Sequence, residues 1–249
     1  MFIQTILITG ASSGIGAELS IVYAAPQTHL ILLGRDQSRL EKIALQCKDR
    51  GAKITLGLLD IRHRDDFKSW FKRLTQKHSI DIAILNAGVG NFGRQENPIV
   101  IQEIFDVNLQ GLLNTLLPII EHMQKNKHGQ IALMSSLASF KGYRGKGAYC
   151  ASKAAVRVLG EGLRESLSAA NIKVSVICPG FVVTPLTSHN TFPMPFLMSA
   201  QKAARIIRKG LEKNKPRIAF PWITYMFSLL MAILPPTLTE KISRLLPYR

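Results

Sequence analysis

The sequence predicts an α/β fold in which a doubly wound parallel sheet of about seven strands carries helices on both faces. Short apolar runs rich in β-branched residues alternate with longer helical patterns along nearly all of the 249 residues. Most of these runs lack polar–apolar alternation, which is typical of strands buried on both faces of a parallel sheet. Because no internal repeat or linker interrupts the pattern, we expect one domain over residues 1–249.

The predicted elements follow one another in a strict strand–helix order. The predicted strands are 5–9, 29–34, 53–59, 81–86, 130–135 and 173–178, with a short seventh strand near 217–220. The predicted helices are 15–25, 37–50, 64–78, 98–126, 149–170 and 199–214.

Composition limits the class of protein. Hydrophobic residues make up 47% of the chain, which is ample for a full core. Three cysteines, Cys47, Cys150 and Cys178, are too few and too uneven for a disulfide framework, so we expect a reducing, cytoplasmic compartment. We see no metal-ligand spacing and expect no metal site. The first residues enter a strand without the features of a signal peptide.

The chain is strongly basic, with a formal net charge of +16. Such a balance suits a nucleic acid, an anionic membrane surface or anionic ligands, or is simply a solvated helix face. We find no nucleic-acid motif and expect no nucleic-acid partner. Much of the excess lies in residues 199–249, where Glu212 and Glu240 are outnumbered by Lys202, Arg205, Arg208, Lys209, Lys213, Lys215, Arg217, Lys241, Arg244 and Arg249.

Three glycines, at Gly10, Gly14 and Gly16, mark the passage from the first predicted strand into the first turn of the first predicted helix. A strand, a glycine turn and a helix form the first unit of a dinucleotide-binding fold, where bare backbone lets a pyrophosphate approach closely. The helix N-terminus then offers free N–H groups and a positive dipole end to the phosphates. A tight turn without a ligand is the alternative for this motif taken alone.

Further motifs give the chain a family resemblance over about residues 1–185. The stretch Thr9-Gly10-Ala11-Ser12-Ser13-Gly14-Ile15-Gly16 matches the TGxxxGxG signature of the short-chain dehydrogenase/reductase family, which has a Rossmann-like fold. The other matches, in order, are Asn86-Ala87-Gly88, Asn108, Ser135-Ser136, Tyr149-Cys150-Ala151-Ser152-Lys153, and Pro179-Gly180 with Thr184. Leu85 departs from the pattern, since the family often has a second asparagine there.

The resemblance implies four catalytic residues, Asn108, Ser136, Tyr149 and Lys153. Tyr149 and Lys153 are four residues apart and share a helix face. An ammonium near a phenol lowers its pKa from about 10, so we expect Lys153 to tune Tyr149 as a general acid and base. Ser136 would hold the substrate oxygen, and Asn108 would order a water for proton relay. Ser135 is then structural.

The resemblance also implies a nicotinamide cofactor. The second strand ends in Gly34-Arg35-Asp36, where NAD-preferring relatives usually have an acidic residue at the position of Gly34. Arg35 can pair with a 2′-phosphate, which favours NADP, while Asp36 keeps NAD as the alternative. The cofactor-binding residues implied are Gly10, Ser12, Ser13, Gly14, Ile15, Gly16, Arg35, Asp60, Ile61, Asn86, Ala87, Gly88, Tyr149, Lys153, Pro179, Gly180, Val182 and Thr184.

Residues 185–200 follow the Pro-Gly motif, where relatives form a substrate lid. Their apolar members are Leu186, Phe192, Met194, Phe196, Leu197 and Met198. Adaptable apolar side chains suit an apolar, lipid-like or steroid-like substrate. Ordinary packing of a loop is the alternative.

Residues 218–249 form an apolar and basic C-terminal extension. No residue of 218–239 is charged, and Pro221 and Pro235 bound a 13-residue run that would be about 20 Å long as a helix, too short to span a membrane alone. Three placements of the run are open: it packs on the domain or a second subunit, it shapes the mouth of the site, or it lies against the inner face of a membrane with Trp222 and Tyr225 at headgroup level.

The sequence thus predicts an oxidoreductase that interconverts a carbonyl and a secondary alcohol with NADP. A nucleotide-sensing or anionic-surface-binding protein without activity is the alternative. The four implied catalytic residues favour the enzyme, because a binding module has no need of all four. Relatives commonly pair through the helices that here are 98–126 and 149–170, so we expect a homodimer or homotetramer.

Overall fold

The structure, a computed structural model, describes residues 3–91, 95–190 and 192–245, and side chains as far as residue 242. Three parts of the segments predicted above lie outside the described residues. They are Thr191 of the lid segment, and Arg249 and the side chain of Arg244 in the C-terminal extension. The strands are β1 (Gln4–Thr9), β2 (Thr28–Gly34), β3 (Lys53–Leu58), β4 (Ile82–Leu85), β5 (Gly129–Met134), β6 (Ile172–Pro179), β7 (Val182–Val183), β8 (Met198–Ser199) and β9 (Arg217–Phe220). The helices are α1 (Gly14–Tyr23), α2 (Gln37–Lys48), α3 (Arg64–Thr75), α4 (Pro98–Phe105), α5 (Leu112–Asn126), α6 (Gly147–Ser166), α7 (Ala200–Glu212), α8 (Trp222–Ile233) and α9 (Pro236–Leu245).

Seven strands form one parallel sheet in the order β3-β2-β1-β4-β5-β6-β9. In the register, Leu7 of β1 lies opposite Ile31 of β2 on one side and Ala83 of β4 on the other. The predicted doubly wound fold is confirmed. Strand order reverses beside β1, and ligands of such sheets bind in the crevice at the carboxyl ends of the strands where the order reverses.

Alternate residues of the central strands supply two separate cores. Ile6 and Ile8 of β1 pack into one core with residues of α1 and α7, whereas Leu7 packs into the other with Phe67 of α3. All three β1 residues are fully buried. Burial on both faces explains why these strands are continuous apolar runs.

The long helix predicted at 98–126 contains an irregular segment. α4 and α5 are joined by a π-helical segment, Asp106–Gly111, so the helix is continuous but carries a wider turn at Asn108. The next predicted helix, 149–170, corresponds to α6, which begins at Gly147 and ends at Ser166. A 3₁₀ turn (Ser168–Ala170) follows it. π-helical turns often occur at functional sites.

The C-terminal extension starts later than the sequence indicates. Residues 218–220 belong to β9 and pair with Ile177, Cys178 and Pro179 of β6, so the part outside the sheet begins at Pro221. α8 then packs on β9 and on the 3₁₀ segment Leu137–Phe140, where the Tyr225 and Phe140 rings lie 5.7 Å apart. Within the described residues, no helix has the length and apolar character needed to cross a membrane.

Candidate active site

The turn between β1 and α1 requires glycine. Gly10 and Gly14 have φ angles of +66° and +56°, in the left-handed region that favours glycine. A Cβ added to Gly16 would lie 2.2 Å from the carbonyl oxygen of Gly10, so the start of α1 packs directly on the turn. The backbone here is left bare, as a phosphate-binding turn requires.

Asn86, which follows β4, holds the glycine turn in place. Its Nδ2 donates to the carbonyl oxygens of Thr9 (3.1 Å) and Gly10 (3.2 Å). In return, the Thr9 hydroxyl accepts hydrogen bonds from the backbone N–H groups of Asn86 and Ala87. The Asn86 side chain therefore joins the ends of two neighbouring strands below the crevice.

A cavity of about 670 Å³ opens above these strand ends. Its size suits a small-molecule or cofactor site. Of the residues predicted for the site, all but Gly16 and Asn108 line it. Gly34, Asp36 and Ser135, discussed above, and Pro185, Leu186 and Thr187 of the predicted lid segment also line it. The lining residues that sequence reasoning missed are Leu33, Arg39, Leu59, Val89, Val107 and Met134.

Ser136, Tyr149 and Lys153 meet at one end of this cavity. The Tyr149 side chain is hydrogen-bonded to Ser136, which caps the 3₁₀ segment by accepting from the Ala138 N–H at 3.1 Å. The Lys153 Nζ donates to the carbonyl oxygen of Met134 at 3.0 Å and lies 5.9 Å from the centre of the Tyr149 ring. The carboxyl end of β5 and the first turns of α6 thus bring three predicted catalytic residues together.

The pKa values in this cluster differ from the sequence-based expectation. Burial raises the pKa of Tyr149 to about 12, with the Ser136 hydrogen bond acting in the opposite direction. Burial also lowers the pKa of Lys153, only 4% exposed, to about 8. The predicted lowering of the Tyr149 pKa by Lys153 is therefore absent, because desolvation dominates at both residues.

Asn108 lies behind the cavity wall. Its Oδ1 accepts from the Val89 N–H at 2.8 Å, and its Nδ2 donates to the Val89 carbonyl at 2.9 Å and to the Ser152 hydroxyl at 3.1 Å. A Cβ on Gly88 would lie 3.1 Å from both Asn108 Oδ1 and Lys153 Nζ, so Gly88 separates the two. Asn108 fixes the strand-to-helix connection beside Lys153.

Charged residues crowd the rim near the end of β2. The Arg35 guanidinium, 60% exposed, lies 3.4 Å from Asp60. Asp60 is paired more closely with Arg62, at 2.6 Å, and this hydrogen bond holds the pKa of the Asp60 carboxyl well below its usual range. Asp36 caps α2 by accepting from the Arg39 backbone N–H (2.9 Å) and side chain (2.6 Å). The Asp36 carboxylate is therefore engaged by α2.

The segment after the Pro-Gly motif borders the cavity. The Thr184 hydroxyl lies 3.3 Å from the Thr187 hydroxyl, which also donates to the Val182 carbonyl at 2.6 Å. Lys146, just before α6, donates to the Asn190 Oδ1 at 3.0 Å, so this segment is fastened to the loop that leads to Tyr149.

No group of three or more His, Cys, Asp or Glu side chains in the described part of the chain is arranged to hold a metal ion. Cys47, Cys150 and Cys178 are free and buried.

A parallel sheet with a glycine turn and a serine–tyrosine–lysine cluster at its carboxyl edge defines a nucleotide-dependent oxidoreductase site. The short chain dehydrogenase family model matches residues 4–192. An uncharacterized oxidoreductase of Myxococcus xanthus is 32% identical over 247 residues, which cover 98% of each chain. The chain belongs to the short-chain dehydrogenase/reductase family and is an NAD(P)-dependent enzyme that acts on CH–OH groups.

Solved structures share the fold. A short-chain dehydrogenase from Sphingobium yanoikuyae, in complex with NADPH, superposes with a TM-score of 0.80 at 25% identity, covering 94% of this chain and 97% of that one. A short-chain dehydrogenase from Mycobacterium paratuberculosis, bound to NAD, superposes with a TM-score of 0.76 at 22% identity, covering 87% and 94%. Both nicotinamide dinucleotides thus occur among structures of this fold.

Proposed function

We propose that this enzyme is an NADP(H)-dependent carbonyl reductase or alcohol dehydrogenase for an apolar, lipid-like or steroid-like substrate. The observation that carries the proposal is that Ser136, Tyr149 and Lys153 line the same cavity as the glycine turn. A ligand bound along the crevice would reach both. Family membership favours this enzyme over the non-enzymatic alternative.

The residues present fit a dinucleotide. The positive φ angles of Gly10 and Gly14 and the crowded Gly16 leave bare backbone at the α1 N-terminus for a pyrophosphate. We assign the adenine end to Asp60 and Ile61, and the nicotinamide end to Pro179, Gly180, Val182 and Thr184, with the remaining predicted residues between them. When bound, the nicotinamide supplies or accepts a hydride.

The three clustered side chains would handle the oxygen and its proton. Ser136 would donate a hydrogen bond to the substrate oxygen, on which negative charge develops during reduction. Tyr149, already hydrogen-bonded to Ser136, would give its proton to that oxygen. Lys153 would bind the ribose and return a proton towards Tyr149, and its pKa of about 8 suits exchange near neutral pH. Asn108 would hold the backbone of Val89 in place beside this relay.

We propose NADP as the preferred cofactor because of the charges at the end of β2. Arg35 is 60% exposed and lines the cavity, and its 3.4 Å contact with Asp60 is long, so its guanidinium could turn to a 2′-phosphate. Asp36, which kept NAD as an alternative, already accepts two hydrogen bonds from Arg39. Neighbouring structures of this fold were solved with NADPH and with NAD, so the proposal for NADP rests on Arg35 and Asp36.

The apolar substrate is supported by segment 185–200, which we propose acts as a lid. Leu186 lines the cavity beside Pro185, and the Phe192 ring lies 5.8 Å from that of Phe181. Phe196 and Leu197 are exposed on the same segment. We further propose a homodimer or homotetramer and a reducing, cytoplasmic location, which the three free cysteines support.

Calorimetric titration of the purified protein with NADPH and with NADH tests the cofactor assignment. We expect micromolar NADPH binding and much weaker NADH binding. A screen of apolar ketones then follows NADPH oxidation, with Tyr149→Phe as the inactive variant, expected to lose about 100-fold or more in kcat. Turnover of Tyr149→Phe within a few-fold of wild type would refute the assigned chemistry.

A further inference from the structure

α8 presents an unbroken apolar face to solvent. We call it the outer face of α8, and it consists of Trp222, Ile223, Met226, Phe227, Leu230 and Ile233. Trp222 is 70% exposed and Ile233 is 80% exposed. The spacing places all six within one side of the helix. Contiguous exposed apolar surface, unlike a single exposed residue, marks an interaction site.

The polar side chains of α8 are all engaged within the protein. Thr224 donates to the Pro221 carbonyl at 3.0 Å, and Ser228 donates to the Thr224 carbonyl at 2.9 Å. The Tyr225 hydroxyl accepts from the Arg217 Nη1 at 3.0 Å. Apart from the exposed indole N–H of Trp222, the outer face therefore offers no side-chain hydrogen-bonding group to a polar partner.

Basic residues flank this apolar face along the chain. Lys213 and Lys215 precede it and Lys241 follows it, and the acidic residues nearest to it in sequence, Glu212 and Glu240, lie just outside residues 213–239. Arg144, which is exposed, follows Tyr143, whose hydroxyl is hydrogen-bonded to Ser228 of α8. A second copy of this +16 chain would bring like charge to the contact, whereas an anionic bilayer brings the opposite charge.

The length of α8 restricts how it could meet a bilayer. Its 12 residues span about 18 Å, against a hydrocarbon core of about 30 Å. A helix of this kind lies in the plane of the interface with its apolar side among the acyl chains. Trp222 lies at one edge of the apolar arc, so in this orientation its ring faces the headgroup level, which indole rings favour.

We infer that the outer face of α8 is a docking surface for an anionic lipid bilayer, with the helix parallel to the membrane plane. The inference stands apart from the assigned chemistry. α8 contacts the segment that joins Ser136 to Tyr149, through Tyr225 on Phe140 and Ser228 on Tyr143. If the proposed function holds, docking places only α8 between the catalytic segment and the bilayer in which an apolar substrate dissolves.

Flotation of the full chain with vesicles tests the docking surface. We expect co-flotation with phosphatidylcholine vesicles containing about one third phosphatidylglycerol, and weak binding to phosphatidylcholine alone. The double variant Phe227→Gln/Leu230→Gln should lose about tenfold or more in binding. The matched control Leu45→Gln/Leu56→Gln, at exposed positions on α2 and β3, should bind within twofold of wild type. Lys241→Glu should lower binding about fivefold.

Tryptophan emission gives a second readout of the same contact. Trp222 is exposed, whereas Trp70 is half-buried and packs against Phe67, with 5.9 Å between the ring centres. Anionic vesicles should shift the emission of wild type to shorter wavelength. Trp222→Phe should still float but show no shift.

Three results would overturn the inference. They are the absence of wild-type flotation, equal flotation of the Phe227→Gln/Leu230→Gln variant, and equal binding to neutral and anionic vesicles. Light scattering that showed this variant to dissociate an oligomer would assign the face to a second copy instead. Reduction of a water-soluble ketone should be unchanged in the variant, so failure of docking and failure of the proposed function are distinguishable.

Discussion

The hydroxyl of Ser135 donates a 2.7 Å hydrogen bond to the backbone carbonyl of Lys153, and so ties the end of β5 to α6. Ser135 is buried, while its neighbour Ser136 is hydrogen-bonded to Tyr149. One serine therefore fastens the scaffold, and the next presents its hydroxyl to the site.

Alanine at these two serines should differ in its effect on activity. Ser136→Ala should lower kcat about 100-fold, because it removes a donor to the substrate oxygen. It should also cost about 1 kcal/mol of stability, because it removes the acceptor of the Ala138 N–H. Ser135→Ala should cost about 1 kcal/mol of stability, because it removes a buried hydrogen bond. Urea unfolding and ketone reduction on both variants check this. If Ser135→Ala lost more activity than Ser136→Ala, the roles would be exchanged, with Ser135 acting on the substrate and Ser136 holding the scaffold.

Alanine at two helical glycines should have opposite effects. Gly16→Ala places a Cβ 2.2 Å from the Gly10 carbonyl oxygen, so we expect about 2 kcal/mol or more of destabilisation and loss of NADPH binding. Gly162→Ala in α6 meets nothing within 4 Å and should stabilise the protein by about 0.5–1 kcal/mol. Thermal unfolding and calorimetry measure both. Equal effects of the two substitutions would contradict the packing of α1 on the turn.

Arg35→Ala should weaken NADPH binding selectively. Loss of a charge-assisted hydrogen bond to a 2′-phosphate costs about 1.5–3 kcal/mol, or roughly 10- to 100-fold in Kd. NADH binding should change less than threefold, because NADH lacks that phosphate. Titration of the variant with both nucleotides measures the difference. Arg62→Ala is the control, since Arg62 pairs with Asp60 but is not among the residues that line the cavity.

Lys153→Met should stabilise the protein at neutral pH. The folded-state pKa of Lys153 is about 8, below the usual value of about 10.4, so the native state holds a buried ammonium at pH 7 at a cost of about 3 kcal/mol. The lost hydrogen bond to Met134 offsets about 1 kcal/mol of the gain.

The sign of the pH dependence follows from that depressed pKa. Between about pH 8 and 10.4 the unfolded chain binds more protons at this lysine than the native protein, so the stability contributed by Lys153 rises with pH. Urea unfolding should show Lys153→Met more stable than wild type by about 2 kcal/mol at pH 7, with the gap narrowing by pH 10. A gap independent of pH would contradict the burial of the charge.

The sheet could be predicted from the sequence because burial on both faces leaves a local signature. β2 and β5 are continuous apolar runs, and the predicted bounds agree within one or two residues. The glycine turn and the Tyr149–Lys153 spacing are equally local. These features depend on residues close together in the chain.

Other features depend on distant contacts and were therefore missed. The π-helical turn at Asn108 is fixed by hydrogen bonds to Val89, 19 residues away. Spacing placed Tyr149 beside Lys153 but carried no information on how deeply each would be buried. Asp36 looked free for a ribose, yet it caps α2 because that helix begins at the next residue.

The cavity has a consequence for how the protein is made. Its lining runs from Gly10 to Thr187, so a nascent chain shorter than about 190 residues lacks part of the wall. A ligand stabilises only a state that can bind it. Nucleotide in the cell can therefore stabilise the folding chain only during the last steps of synthesis. Before that point, about three quarters of the chain depends on its own core or on chaperones for protection from aggregation.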